Sequence, residues 1–176
     1  KETALPAAPE SAPWFEDGAA RAGVDFVHDS GQRGEDLLFP EIVCGGVGLF
    51  DKDGDGDLDL YLVQGCNLQA GVAARSGNVL YENAGDGTFV DVTASAGVGD
   101  TGYGMGCSAA DYDGDGDVDL YVTNLGPNVL YHNDGSGVFT DVTAEAGVGD
   151  ASFSASCAFL DYDRDGLLDL FVVNYI

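Results

Sequence analysis

Cationic side chains are what this sequence most lacks. Lys and Arg number 6 against 31 Asp and Glu, a formal net charge of −25. That scarcity excludes nucleic-acid binding, which rests on Lys and Arg neutralising phosphates, and adsorption to anionic lipid. Nowhere is there a run of about 18 consecutive apolar residues, the length of a spanning helix, so direct membrane insertion is not expected. Nitrogen and sulfur ligands are also few. His28 and His132 are the two histidines, and the four cysteines at 44, 66, 107 and 157 show no C-x-x-C pair or zinc-finger spacing. An even count fits an oxidising compartment. A Cys44–Cys66 bridge across the first acidic loop is one expectation; four buried small hydrophobes are the other. The opening KETALPAAPESAP lacks the apolar core of a signal peptide and reads as a flexible linker over 1–13.

What is abundant is Asp beside Gly. Hydrophobic residues make up 45%, enough for a core, and 27 glycines make the chain turn-rich. Three stretches are near copies: DKDGDGDLD at 51–59, DYDGDGDVD at 111–119 and DYDRDGLLD at 161–169. A longer copy accompanies them. NVLYENAGDGTFVDVTASAGVGD at 78–100 recurs as NVLYHNDGSGVFTDVTAEAGVGD at 128–150, a shift of 50. The first two acidic loops are 60 apart, and the extra ten residues fall in the Gly/Ala-rich GCNLQAGVAARSG.

Each unit predicts four strands. Small residues (GCSAA, ASCAF) lead into the acidic loop, as a strand crowded by neighbours requires. An alternating run follows (LDLYLV, VDLYVTN, LDLFVVN), with the period of two that marks a strand. NVLYEN or NVLYHN, a Gly-rich turn, and FVDVTA or FTDVTA then read as a hairpin. Helical turns are conceivable only at TASAGV and TAEAGV. Four-stranded units repeated at this length predict an all-β fold of β-propeller blades with four antiparallel strands. In a calcium-binding β-helix, by contrast, acidic nonapeptides repeat back to back.

WFEDGAARAGV at 14–24 aligns with TFVDVTASAGV at 88–98 and reads as a stray outer strand that closes a ring. The count is therefore that strand, two blades (43–98 and 103–148) and half of a third (153–176). Propellers have at least about four blades, so the remaining ones are expected from the same or another chain.

The acidic loops read as metal ligand sets. Asp111, Asp113, Asp115 and Asp119 hold places one, three, five and nine, with the Asp117 carbonyl at place seven. The first loop supplies Asp51, Asp53, Asp55, Asp59 and the Asp57 carbonyl. The third supplies Asp161, Asp163, Asp165, Asp169 and the Leu167 carbonyl. Such an all-oxygen, carboxylate-rich set suits calcium, three ions in all, rather than zinc or copper. An EF-hand needs an acid at place twelve, where Leu62, Val122 and Val172 stand instead. Two carboxylates about 4 Å apart repel by about 1 kcal/mol in water and about 4 kcal/mol at an effective dielectric near 20. A bound cation reverses that cost and stabilises the fold by mass action. The third loop is expected to bind most weakly, since Arg164 replaces a glycine and Leu167 an acid.

These residues carry a family resemblance. The D-x-D-G-D-G-x-x-D loops, the LDLYLV strand and the NVLYxN…DVTAxAGV hairpin resemble FG-GAP/VCBS repeats, the blades of integrin-α-type propellers. AGVDFVHDSG…PEIVCGGVGLFDKDGDGDLDLYLV is similar to the start of bacterial secreted proteins related to the ASPIC/UnbV and cartilage acidic protein group. The resemblance implies a seven-bladed propeller, export from the cytoplasm (secreted, periplasmic or surface) and calcium between each blade's first and second strands.

The function expected is a calcium-stabilised extracytoplasmic module for protein–protein or matrix interaction, with insertions near 25–42 and 65–77 as contact loops. Alternatives are a piece of a propeller enzyme or a calcium buffer. Catalysis is not expected. His132 takes the place of Glu82 in the preceding repeat, which suggests an exposed strand position, and Ser108 and Ser156 lack a G-x-S-x-G setting.

Overall fold

The computed structural model describes residues 15–33, 35, 37–66, 68 and 77–175; the linker expected over 1–13 and most of the 65–77 insertion lie outside them. Nine strands and four short helices follow in the order α1 (Ala19–Ala22), α2 (Phe39–Val43), β1 (Gly46–Phe50), β2 (Asp59–Val63), β3 (Val79–Asn83), β4 (Phe89–Asp91), α3 (Thr93–Ala96), β5 (Tyr103–Ala110), β6 (Asp119–Asn133), β7 (Phe139–Asp141), α4 (Thr143–Ala146), β8 (Ser154–Leu160) and β9 (Asp169–Asn174). The fold is all-β. β1-β2-β3-β4 make one antiparallel sheet, β5-β6-β7 a second, and β8-β9 a third.

Alternation in the sequence sets the faces. In β2, Asp59, Tyr61 and Val63 are buried while Leu60 and Leu62 are half-buried. Tyr61, Val63 and Leu80 of the first sheet meet Leu120, Val122, Tyr131 and Phe139 of the second, and Phe50 sits edge-on to Phe139 at 6.4 Å. The next seam repeats the device, with Tyr121 edge-on to Phe159 at 6.4 Å. The second sheet thus turns one face to the first sheet and the other to the third.

The first strands lie side by side, β1 against β5 and β5 against β8. Side-chain volume there would block the approach. A Cβ on Gly46 would meet the Gly106 Cα at 2.9 Å, and one on Gly48 the Cys107 Sγ at 3.1 Å. At Gly104 it would run into the Val63 side chain and reach the Gln64 carbonyl at 2.8 Å.

Two expectations need correction. In the second sheet, separate second and third strands are replaced by one continuous strand, β6. Its first part pairs with β5 (Ala110↔Asp119 to Tyr103↔Leu125) and its end with β7 (Tyr131↔Asp141 to Asn133↔Phe139). The crossing is only a few residues long and is braced by a side-chain clasp. Asn124 N donates to Asn128 Oδ1 at 2.8 Å, and Asn124 Nδ2 to the Pro127 carbonyl at 2.9 Å, around Gly126 at φ 116°. In the first sheet the same clasp, Gln64 N to Asn78 Oδ1 at 2.7 Å, spans 14 residues instead of 4.

The stray strand expected at 14–24 is the second correction. Trp14 lies outside the described residues, Phe15–Gly18 form no strand, and α1 follows. A strand needs a ladder partner, and none of the described strands pairs with Phe15–Gly18; α1 itself aligns with α3 rather than with β4. Gly23 N caps it on the Ala19 carbonyl at φ 79°, as Gly97 (78°) and Gly147 (69°) cap α3 and α4. The alignment itself has a spatial counterpart. A Cβ on Gly23 would meet the Phe89 carbonyl at 2.9 Å, as one on Gly97 would meet the Phe139 carbonyl at 3.0 Å.

The 25–42 insertion is partly docked rather than free. Asp29 N donates to Gln64 Oε1 (2.6 Å), Tyr103 Oη to the Ser30 carbonyl (2.6 Å), and Phe39 of α2 stacks on Tyr175 at 4.7 Å. Two apolar sheet faces are left exposed: Val47 (62%) and Leu49 (60%) on the first sheet, Phe171 (62%) and Val173 (46%) on the third.

If the first strands are packed to contact, Gly104→Ala should lower stability by about 1–3 kcal/mol, read as a shift in the urea midpoint. An unchanged midpoint would mean that the seam has slack.

Candidate metal centres

The three acidic loops occupy the same place in each sheet, between its first and second strands: β1–β2, β5–β6 and β8–β9. Backbone N–H groups fold each loop around its first aspartate. Asp51 accepts from the N–H of Gly54, Asp55 and Gly56 (2.8, 3.2 and 2.9 Å). Asp111 accepts from Gly114 and Gly116 (2.8 and 3.0 Å), and Asp161 from Asp165 and Gly166 (both 3.1 Å). The turn requires left-handed backbone at its fourth place. Gly54 and Gly114 adopt it at φ 74° and 79°, and Arg164 is forced to φ 65°, an uncommon conformation for a residue with a Cβ.

The fifth aspartates point back into their own loops. Asp55, Asp115 and Asp165 accept from the N–H of Asp57, Asp117 and Leu167 (2.8, 3.0 and 2.8 Å). The Asp57 and Asp117 carboxylates lie beside the hairpin turns instead: a Cβ on Gly85 would meet Asp57 Oδ2 at 2.9 Å and one on Gly135 would meet Asp117 Oδ2 at 2.5 Å. That leaves their carbonyls as the oxygens they could contribute to a centre.

The ninth aspartate joins the loop to the rest of the sheet. Asp59 is buried and accepts from Lys52 N (Oδ2, 2.9 Å) and Asn83 N (Oδ1, 2.9 Å). Asp119 repeats this with Tyr112 N (3.1 Å) and Asn133 N (2.9 Å). Asp169 keeps the first of these bonds, from Tyr162 N at 2.8 Å.

Carboxylate oxygens converge within 4.8 Å of one another in three groups: Asp51, Asp53 and Asp59; Asp111, Asp113 and Asp115; and Asp161, Asp163 and Asp169. Asp119 shares a fourth group with Asp113 and His132, while Asp55 and Asp165 stand outside these groups. The first three groups are oxygen-only and preorganised by backbone donors, which fits a hard divalent cation of flexible coordination. A bound cation would offset the mutual repulsion of these carboxylates.

Two neighbours were not assigned from the sequence. Lys52, the second residue of the first loop, places Nζ 2.5 Å from Asp53 Oδ2 and 3.0 Å from Glu82 Oε2. Burial acts to lower its pKa, but the hydrogen bonds to Asp53 and Glu82 outweigh it, so the group stands above its ordinary value. His132, expected to be an exposed strand position, is half-buried at the rim of the second centre, with Nδ1 3.2 Å from Asp119 Oδ1 and 3.5 Å from Asp113 Oδ2. The signal was present: His132 precedes the Asn133 whose N–H holds Asp119.

All four cysteines are free thiols, so the Cys44–Cys66 bridge is not formed. Cys44 Sγ lies 3.4 Å from His28 Nε2 instead. Cys107 and Cys157 are partly buried, and burial pushes their thiols up to about 11 and about 12.

A family model described as FG-GAP-like repeat matches residues 51–122 and 112–172, more than half of the chain. The chain belongs to that family of repeats. Among curated proteins, no match is found. None of the described helices is long and apolar enough to cross a membrane.

Burial raises Asp59 and Asp119 above the ordinary carboxylate range. A carboxyl raised in the folded state contributes stability when protonated and loses it as pH rises. Asp51, held low chiefly by the Gly56 N–H, acts oppositely as pH falls through its own lower value. In chelator, the melting temperature should therefore climb as pH is lowered from neutral towards the ordinary carboxylate pKa of about 4. A fall over that window would show that the buried aspartates do not dominate.

Proposed function

We propose that the chain is a calcium-stabilised stretch of β-propeller, working outside the cytoplasm as a non-catalytic module for protein–protein or matrix contact. One observation carries the reading. A carboxylate cluster that includes the first and third places of the loop recurs at the same strand junction in three successive sheets whose first strands stack on one another. The holding groups are the side chains of Asp51, Asp53, Asp55 and Asp59, of Asp111, Asp113, Asp115 and Asp119, and of Asp161, Asp163, Asp165 and Asp169. The carbonyls of Asp57, Asp117 and Leu167 complete the sets. Calcium supplies positive charge where the first strand turns into the second, which locks loop to sheet.

The exposed end faces support the propeller reading. Phe171 and Val173 correspond to Tyr61 and Val63, which are buried against the second sheet. Val47 and Leu49 correspond to Cys107 and Ala109, which pack into that same core. Each open face therefore has the character of a seam, and further sheets of the same kind are its natural cover, from this polypeptide or another. The resemblance to secreted ASPIC/UnbV-type proteins and the acidic composition favour an exported binding module.

Calorimetric titration should show calcium uptake, reduced by Asp53→Asn or Asp113→Asn, and chelator should lower the melting temperature by well over 5 °C, the order expected from a few kcal/mol of ligand stabilisation. A protein that binds calcium yet melts unchanged in chelator is a buffer, and one that takes up none does not use these centres.

A further inference from the structure

The first centre differs from the others at its second place. Lys52 stands where the other loops carry Tyr112 and Tyr162. A matching exchange occurs on the third strand, where Glu82 stands in place of His132. The two exchanges meet in space. Lys52 Nζ bridges Asp53 and Glu82, whereas Tyr112 sits edge-on to His132 at 6.4 Å. Tyr162 is 82% exposed.

Lys52 is not a surface lysine that swings onto a nearby acid. Its side chain is 4% exposed. The stem runs beneath the hairpin turn of the second sheet, so that a Cβ on Gly137 would meet Nζ at 2.9 Å and Cδ at 3.1 Å. Its carbonyl accepts from Asn133 Nδ2 at 2.7 Å, across the same seam. The ammonium is thus held by two sheets at a carboxylate of the first oxygen cluster. Arg164, the cation of the third loop, is exposed.

We propose that Lys52 is a built-in cation of the first centre, which competes with calcium for Asp53 and keeps the first loop and its seam in place when calcium is withdrawn. The inference rests on the calcium reading above. A calcium ion bound through Asp53 must give up the oxygen that Lys52 holds or accept a positive neighbour, so the first centre binds calcium more weakly than the second. The same ammonium partly neutralises the first cluster in the absence of metal, and the second cluster has no Lys or Arg in its loop to do so.

The amides of Gly56, Gly116 and Gly166, one in each loop, report the three centres separately in a two-dimensional NMR titration of the full chain with calcium. Gly116 should saturate before Gly56. Lys52→Met, which keeps an apolar stem and removes the charge, should tighten calcium at Gly56 at least about fivefold while lowering the melting temperature in chelator. Those opposite signs separate the proposal from simple packing, which would lower stability in both states and leave affinity no tighter. Glu82→Gln, which leaves Lys52 to Asp53 alone, should weaken calcium at Gly56 and covers the case in which Lys52→Met does not fold. Saturation of Gly56 at or before Gly116, or an unaltered Gly56 response in the folded variants, overturns the proposal and leaves the calcium reading standing. No response at any of the three glycines overturns both.

Discussion

The first two repeats each hang on a buried carboxylate. Asp59 and Asp119 each take one backbone N–H from the loop that precedes their strand and another from further along the chain, Asn83 of β3 and Asn133 at the far end of β6. A charge withdrawn from water in this way is tolerated only when its oxygens are satisfied. Two donors from two segments meet that demand, and in meeting it they fix the loop against the sheet. The remaining aspartates of the loop inherit their positions from this anchor. The joining of loop to sheet and the shape of the loop are therefore consequences of one arrangement.

Local geometry was legible in the sequence where spacing determines it. The D-x-D-x-D-G pattern gave loops with left-handed glycines at the expected places, the alternating LDLYLV run gave β2, and the small residues before each loop gave tightly stacked first strands. TASAGV and TAEAGV gave the helical turns α3 and α4. The likeness of 14–24 to 88–98 also corresponds to a shared position beside the next sheet. Its helical turn followed, α1 aligning with α3, but its strand did not, because a strand depends on a partner that the stretch itself does not contain.

Contacts made across a seam were not legible. Lys52 is one letter among nine, and nothing within the loop says that its ammonium lies under Gly137 of another sheet. His132 looked like a substitution at a free strand position, since its neighbour Asp113 is 19 residues away in sequence (132 − 113). Bracing β6 midway is a clasp between Asn124 and Asn128, a side-chain contact that period and propensity do not encode. Free thiols at 44 and 66 follow from the same limitation, because Cys44 turns to His28 from the far side of an insertion.

The Asn clasp has a further consequence. Asn78 is fixed both by its side chain, on Gln64 N, and by its backbone, on the Asp100 carbonyl at 2.8 Å; Asn128 repeats both bonds, on Asn124 N and on the Asp150 carbonyl at 2.9 Å. Each end of the connection is thereby buttoned to the sheet regardless of what runs between. Lengthening the tether adds little closure entropy, so one repeat carries ten residues more than its sibling without disturbing the ladder. The junction behaves as a splice port, where evolution or an engineer can graft new recognition surface at small cost to the scaffold.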